Sequence, residues 1–220
     1  MNTSSYEYSR RVKIRPSVGR FYATSNGVFQ KKTLILGGSH YADDYDDPEV
    51  DNSEFTDEIV TQYLEGGSGS WKSTFSKFIN SVFGTEADQA QREQFFESVA
   101  FYNYLQEIAG GHGTSASLYD YKDSRNFEAF CDVIEELRPE VVISWGAKVW
   151  NALPNEWTFG PAIKRTDIVT EPRLDVGIQD YPFQGGTIRL IGVKHPSGGF
   201  EREGHHALFR QLNLLRLDET

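Results

Sequence analysis

The stretch from Phe127 to Leu153 constrains the fold most, because its apolar pattern changes period twice. Phe127, Phe130, Cys131, Ile134 and Leu137 recur at helical spacing, Pro139 stops the run, and Val141-Val-Ile-Ser-Trp145 follows as an apolar strand. Gly146 then turns the chain into another helix over Ala147 to Leu153. A strand this apolar belongs inside a sheet that is covered on both sides.

The same alternation recurs along the chain. Lys32-Thr-Leu-Ile-Leu-Gly37 reads as the first core strand, stopped by a glycine pair. Residues 54–64 and 71–83 carry helical spacing, with Phe75, Phe78, Ile79 and Val82 on one face of the second. Ser98 to Leu105 is rich in β-formers and predicts a strand that delivers Asn103 near its end. A last strand, Thr187 to Val193, breaks at His195-Pro-Ser-Gly-Gly199, and a terminal helix sets Leu208, Leu212 and Leu215 on the core. The expected fold class is α/β: a three-layer α/β/α sandwich on a central, mainly parallel four-stranded sheet with right-handed crossovers. The expected division is a basic N-terminal arm, 1–31, and an α/β domain, 32–220. In such sheets ligands bind beyond the carboxyl ends of the strands, so the loops after Leu36, Asn103, Trp145 and Lys194 are expected to frame the cleft.

At 220 residues the chain suits one domain and can enclose such a core without a staple. The single Cys131 cannot close an internal disulfide, and the N-terminus lacks the layout of a signal peptide, so a cytoplasmic location is expected. No apolar run approaches the roughly 18 residues of a membrane span. The net charge of −10 argues against indiscriminate attraction to nucleic acid. That charge is unevenly placed. Residues 1–32 hold Arg10, Arg11, Lys13, Arg15, Arg20, Lys31 and Lys32 against Glu7, while 43–65 hold ten carboxylates and no base. The basic stretch can meet phosphate, lie against the acidic segment or stand in solvent. The acidic run lacks the glycine and terminal glutamate of a calcium loop and reads as solvated.

Gly66-Gly-Ser-Gly-Ser-Trp-Lys72-Ser73 imitates a phosphate-binding loop, but Trp71 takes the glycine position before the lysine and a helix precedes it. No Cys/His set has zinc spacing, and neither a metal nor another cofactor is expected.

Four segments, in order, carry a resemblance. Leu36-Gly-Gly-Ser-His-Tyr41 follows the first strand, Asn103 follows the second, Val142-Ile-Ser-Trp-Gly-Ala147 ends the third, and His195-Pro-Ser197 follows the last. Together they resemble the uracil-DNA glycosylase superfamily. The first looks like its Gly-Gln-Asp-Pro-Tyr-type loop, the third like its strand ending in Leu-Trp-Gly-Ser, and the last like the start of its His-Pro-Ser-Pro-Leu-Ser loop. The resemblance spans roughly residues 32–217 and implies a divergent member, acting on uracil or another altered base, with single-stranded DNA favoured.

The resemblance implies roles. His195 would donate to the uracil O2 as negative charge builds on the departing base. Asn103 would pair with the N3 donor and O4 acceptor of uracil and mismatch cytosine. Tyr41 would crowd the C5 edge, with Ser39 and His40 beside it in the same base-binding loop. Phe101 or Tyr102 would stack on the base, and Ser197 would bind a DNA phosphate. Each residue also has a structural role to weigh: His195 bonding a loop carbonyl, Asn103 serving a turn, Tyr41 packing, Ser197 capping, and Trp145 filling core.

This sequence also departs from the family's pattern. Ser39 stands where the best-known branch has its water-activating Asp, and a hydroxyl is too weak a base to replace it. Asp43 and Asp44, a few residues downstream, are the alternative activators. Gly198-Gly199 replaces the wedge-forming Pro-Leu, which leaves Phe200 as the wedge. Two functions therefore stand side by side: a DNA N-glycosylase, and a non-catalytic protein that uses the pocket to bind a nucleotide, a modified base or a protein partner.

Overall fold

The structure is a computed structural model that describes residues 6–24, 26–41, 52–109, 119–153, 156–157, 160–168, 171–184 and 186–216. The chain begins with strands β1 (Ser17–Val18) and β2 (Thr33–Gly37), then helices α1 (Phe55–Leu64), α2 (Lys72–Phe83) and α3 (Gln89–Ser98). Strand β3 (Ala100–Asn103), helix α4 (Ser124–Leu137), strand β4 (Val141–Trp145) and helix α5 (Ala147–Ala152) follow. After the short strands β5 (Glu156–Trp157), β6 (Gly160–Pro161) and β7 (Ile163–Lys164) come β8 (Gly177–Phe183), β9 (Gly186–Val193) and α6 (Arg202–Gln211).

The main sheet has the order β1-β3-β2-β4-β9-β8-β7. Its four inner strands β3, β2, β4 and β9 are mutually parallel. The sheet is therefore wider than the four strands expected, because antiparallel β1 borders β3 while β8 and β7 extend the edge beyond β9. Strand β8 escapes a sequence reading because Asp180 and Pro182 interrupt its pattern. Pro182 is tolerated since it pairs with Thr187 on one side, beyond the reach of the two-residue β7 on the other.

Side chains alternate across the inner strands with period two. Ile35, Phe101, Ile143 and Ile191 enter one apolar cluster, with Val60, Phe78, Phe95 and Phe209 from α1, α2, α3 and α6. Leu34, Ala100, Val142 and Leu190 enter the other, beneath Phe130 and Ile134 of α4 and Val149 of α5. Helices thus lie on both faces of the sheet.

Local signals fix the helix ends. Asp88 and Gln91 form a reciprocal capping box at the start of α3, a helix with little apolar periodicity to mark it. Ser98 belongs to this helix, so β3 is shorter than the stretch expected. Asp123 accepts from the Arg125 amide to cap α4, and Arg138 takes a left-handed turn with φ of 48° just before Pro139. Lys72 is used structurally: its ammonium donates to the Gln62 carbonyl at 2.5 Å and to that of Gly66, closing the end of α1. Among the described residues, no helix is long and apolar enough to cross a membrane.

The described part of the basic N-terminal segment is woven into the domain. Val12, Tyr22, Val28 and Phe29 are buried, and Ser17 and Val18 pair with Phe101 and Ala100. Arg11 lies 3.4 Å from Asp132, and Arg20 lies 2.8 Å from Glu97, so these two cations rest on acidic side chains of the domain.

Candidate functional site

The parallel register aligns the carboxyl ends of the inner strands: Gly37 stands opposite Asn103, and Trp145 opposite Val193. From β2 the chain passes through α1 to α3 on one face before β3, and then through α4 on the other face before β4. The loops leaving β2 and β4 therefore separate, which opens a crevice at the switch in strand order. A cleft of about 570 Å³ occupies it.

Of the residues singled out from sequence, Ser39, His40, Tyr41, Phe101, Asn103, His195 and Ser197 all line this cleft. Tyr102 does not. It is fully buried in the opposite apolar cluster, because neighbouring residues of a strand point to opposite faces, so it cannot stack on a ligand held against Phe101. Phe200 is not on the cleft lining: partly buried, its ring stacks on His205 at 3.8 Å and packs against Phe78. Gly198 and Gly199 are exposed in the turn beyond the cleft wall. Asp43 and Asp44 lie outside the described residues.

The apolar wall combines Ile59, Trp71, Phe75, Phe101 and Trp145. Trp145 joins core and cleft, with its ring 5.6 Å from Phe101 and edge-on to His195 at 6.4 Å. The polar wall adds Tyr121 and Lys148, neither singled out from sequence. Lys148 is the one cationic Lys or Arg on the lining among the described residues; it stands 6.0 Å from the Tyr121 ring. No carboxylate lines the cleft among the described residues. Tyr121 carries no motif and reaches the site only through tertiary packing, whereas Lys148 follows the strand-ending Trp145-Gly146 pair and is legible by position.

His195 is held in one protonation form. The Ser197 amide donates to His195 Nδ1 at 3.2 Å, and the Ser197 hydroxyl lies 2.7 Å from the same nitrogen. Nδ1 is thus an acceptor, and the proton of the neutral ring sits on Nε2. Burial lowers the His195 pKa, which favours this neutral state. Ser197 therefore orients His195.

Asn103 is equally constrained. Only 6% exposed, it places Nδ2 3.1 Å from His40 Nδ1. His40 is 3% exposed, its Nε2 lies 3.1 Å from Thr56 Oγ1, and Phe55 meets the ring edge-on at 5.0 Å. Burial pushes the His40 pKa down to about 3, so this ring too is neutral. Tyr41, 58% exposed, stands at the rim and forms an isolated bridge with Ala109. Among the described residues the arrangement offers one fixed carboxamide, one neutral imidazole donor, an aromatic wall and a single cation: the means to hold a planar polar ring.

No family model and no curated protein sequence matches this chain.

Proposed function

We propose that the cleft binds a single unstacked pyrimidine base of single-stranded DNA and that the protein hydrolyses its N-glycosidic bond, as a divergent relative of the uracil-DNA glycosylases. The observation that carries this reading is that Asn103 and His195, delivered by separate parallel strands, line one cleft with their hydrogen-bonding states already set. The parallel inner strands with helices on both faces also fit a glycosylase-like three-layer sandwich.

In this reaction the bond between the base nitrogen and sugar C1′ breaks and the base leaves with the electron pair. The oxygen of a water molecule bonds to C1′, and the water gives up a proton. A fixed Nε2–H on His195 stabilises the charge that develops on the uracil O2, with little reorganisation at the moment of bond breaking. Asn103 reads the N3 and O4 edge, Phe101 offers its ring to the base, and Lys148 meets a flanking phosphate. Asp43 or Asp44 activates the water. A single strand suits the site because the base is already unstacked and no wedge is required.

A second reading, a base-binding protein without cleavage, is favoured by the lack of a carboxylate on the described lining. Incubation with uracil-containing single- and double-stranded oligonucleotides, followed by alkaline cleavage of abasic sites, separates the two. Strand breaks on the single strand that His195→Ala abolishes are the expected result. Retention of the uracil oligonucleotide without breaks would assign the binding function instead.

A further inference from the structure

His40 has no task in the chemistry above, yet it is more deeply buried than any other polar residue lining the cleft for which a hydrogen-bond chain can be traced. Its place in that chain is directional. A carboxamide NH2 has only hydrogens to offer, so Asn103 Nδ2 donates to His40 Nδ1 across their 3.1 Å. The buried ring is neutral, its one proton must then sit on Nε2, and that nitrogen donates to Thr56 Oγ1 at 3.1 Å. The sequence is Asn103 to His40 to Thr56, which ties the end of β3 to the loop after β2 and to the first turn of α1.

The direction has a consequence for recognition. Turning the Asn103 carboxamide over would require the His40 proton to move to Nδ1 and the Thr56 hydroxyl to become the donor to Nε2. The three groups are therefore coupled and turn together or not at all, and in the structure Oδ1 lies against Gly37 with a second N–H left over. A base edge with a donor beside an acceptor, as in uracil, suits that orientation. Cytosine presents the reverse order and would suit the turned amide. An untethered carboxamide can present either face, and its selectivity falls accordingly.

We infer that His40, backed by Thr56, is a positioning residue that locks the Asn103 carboxamide in one orientation and so sets discrimination between uracil-like and cytosine-like base edges. The inference rests on the base-binding reading of the cleft and deepens it.

The test uses the full chain and four proteins: wild type, His40→Leu, His40→Asn and Thr56→Val. Each is titrated with single-stranded oligonucleotides carrying one uracil or one cytosine in a fixed context of other bases. His40→Leu removes the acceptor and should lower the uracil-to-cytosine preference by about tenfold, in the range of one bidentate base contact. His40→Asn places an oxygen one bond from Cγ, where Nδ1 stood, and should recover most of the preference. Thr56→Val loses the anchor but keeps the volume of the side chain, and should fall between them. It keeps the question open to refutation should His40→Leu fail to fold.

Nitrogen NMR of the free wild-type protein gives an independent reading, with the His40 proton expected on Nε2 at neutral pH. A proton on Nδ1, or an unchanged preference in folded His40→Leu and Thr56→Val, would overturn the inference. Wild type that engages neither oligonucleotide would refute the base-binding reading and with it the discrimination. The nitrogen spectrum would then still report whether the hydrogen-bond chain exists.

Discussion

Gly37 and Asn103 end adjacent parallel strands in register, and a Cβ on Gly37 would stand 2.1 Å from Asn103 Oδ1. The missing side chain of one residue is thus the seat of the other's carboxamide. Gly37→Ala should leave the strand intact, since the main chain there needs no left-handed turn, but should displace Asn103 from its bond to His40. The expected result is a stability loss of about 1–3 kcal/mol from overpacking, together with weaker binding of a uracil oligonucleotide. Thermal melts and titrations of the same sample check both; unaltered binding would mean that the position of Asn103 does not matter to recognition.

Ser197 holds His195 by two bonds to Nδ1, one from the main chain and one through the hydroxyl. Ser197→Ala removes only the second. Its cost should be about 1 kcal/mol, or roughly a fivefold fall in uracil-oligonucleotide cleavage, much milder than His195→Ala. Protonation of His195 places a hydrogen on Nδ1 facing the Ser197 amide, so activity should be full at neutral pH and fall as pH drops through the His195 pKa. Burial sets that value below 6.5. A pH profile with its acid limb above 6.5 would contradict the neutral-donor role.

The burial of His40 should appear in stability as well as in function. Its folded pKa, about 3, lies below the ordinary 6.5, so between these values the unfolded chain takes up a proton that the native protein excludes. Stability from this group is therefore fully present above pH 6.5 and declines as pH falls toward 3, at up to about 1.4 kcal/mol per pH unit. Denaturant titrations at pH 7, 6 and 5 should give wild type a steeper loss than His40→Asn, by about half that slope between pH 7 and 6 and nearly all of it between pH 6 and 5. Parallel losses would show that His40 titrates normally.

Asp180, buried on β8, accepts from Arg165 at 2.6 Å and Arg189 at 2.9 Å, joining the antiparallel edge of the sheet to its parallel core. Burial alone would raise its pKa, but the bonds from Arg189 and Arg165 outweigh that effect and hold it below 3.8. Its contribution is therefore present above the ordinary carboxylate range and is lost as pH falls through the lowered value. Asp180→Asn leaves two arginines facing each other and should cost about 2–3 kcal/mol at neutral pH, somewhat less than a fully enclosed pair because both arginines are partly exposed. A change in denaturation midpoint too small for 1 kcal/mol would show that solvent screens the group.

What the sequence determined by itself is the set of elements whose signals are local. The change of period around Pro139 and Gly146, the apolar run before Gly37 and the break at His195-Pro196 located the parallel strands and the end of the sheet where a cleft forms. Such features are legible because burial on both faces and backbone turns leave their mark within a few residues. Strand β8 and helix α3 lay beyond this reach. The first is held by the Asp180 ion pairs and its partner β9, and the second has a weakly apolar sequence whose boundary depends on one capping box.

Only the tertiary structure decided which side chains share the cleft. Sequence could offer Phe101 and Tyr102 as equals, but strand direction put one in the cleft and the other in the opposite core. It could name Asn103 and His40 but not pair them, since they stand 63 residues apart on different elements, nor supply Thr56 as the next link. The His195 proton is placed by Ser197 within its own motif, whereas that of His40 depends on contacts between distant segments, which no pattern of neighbouring residues encodes.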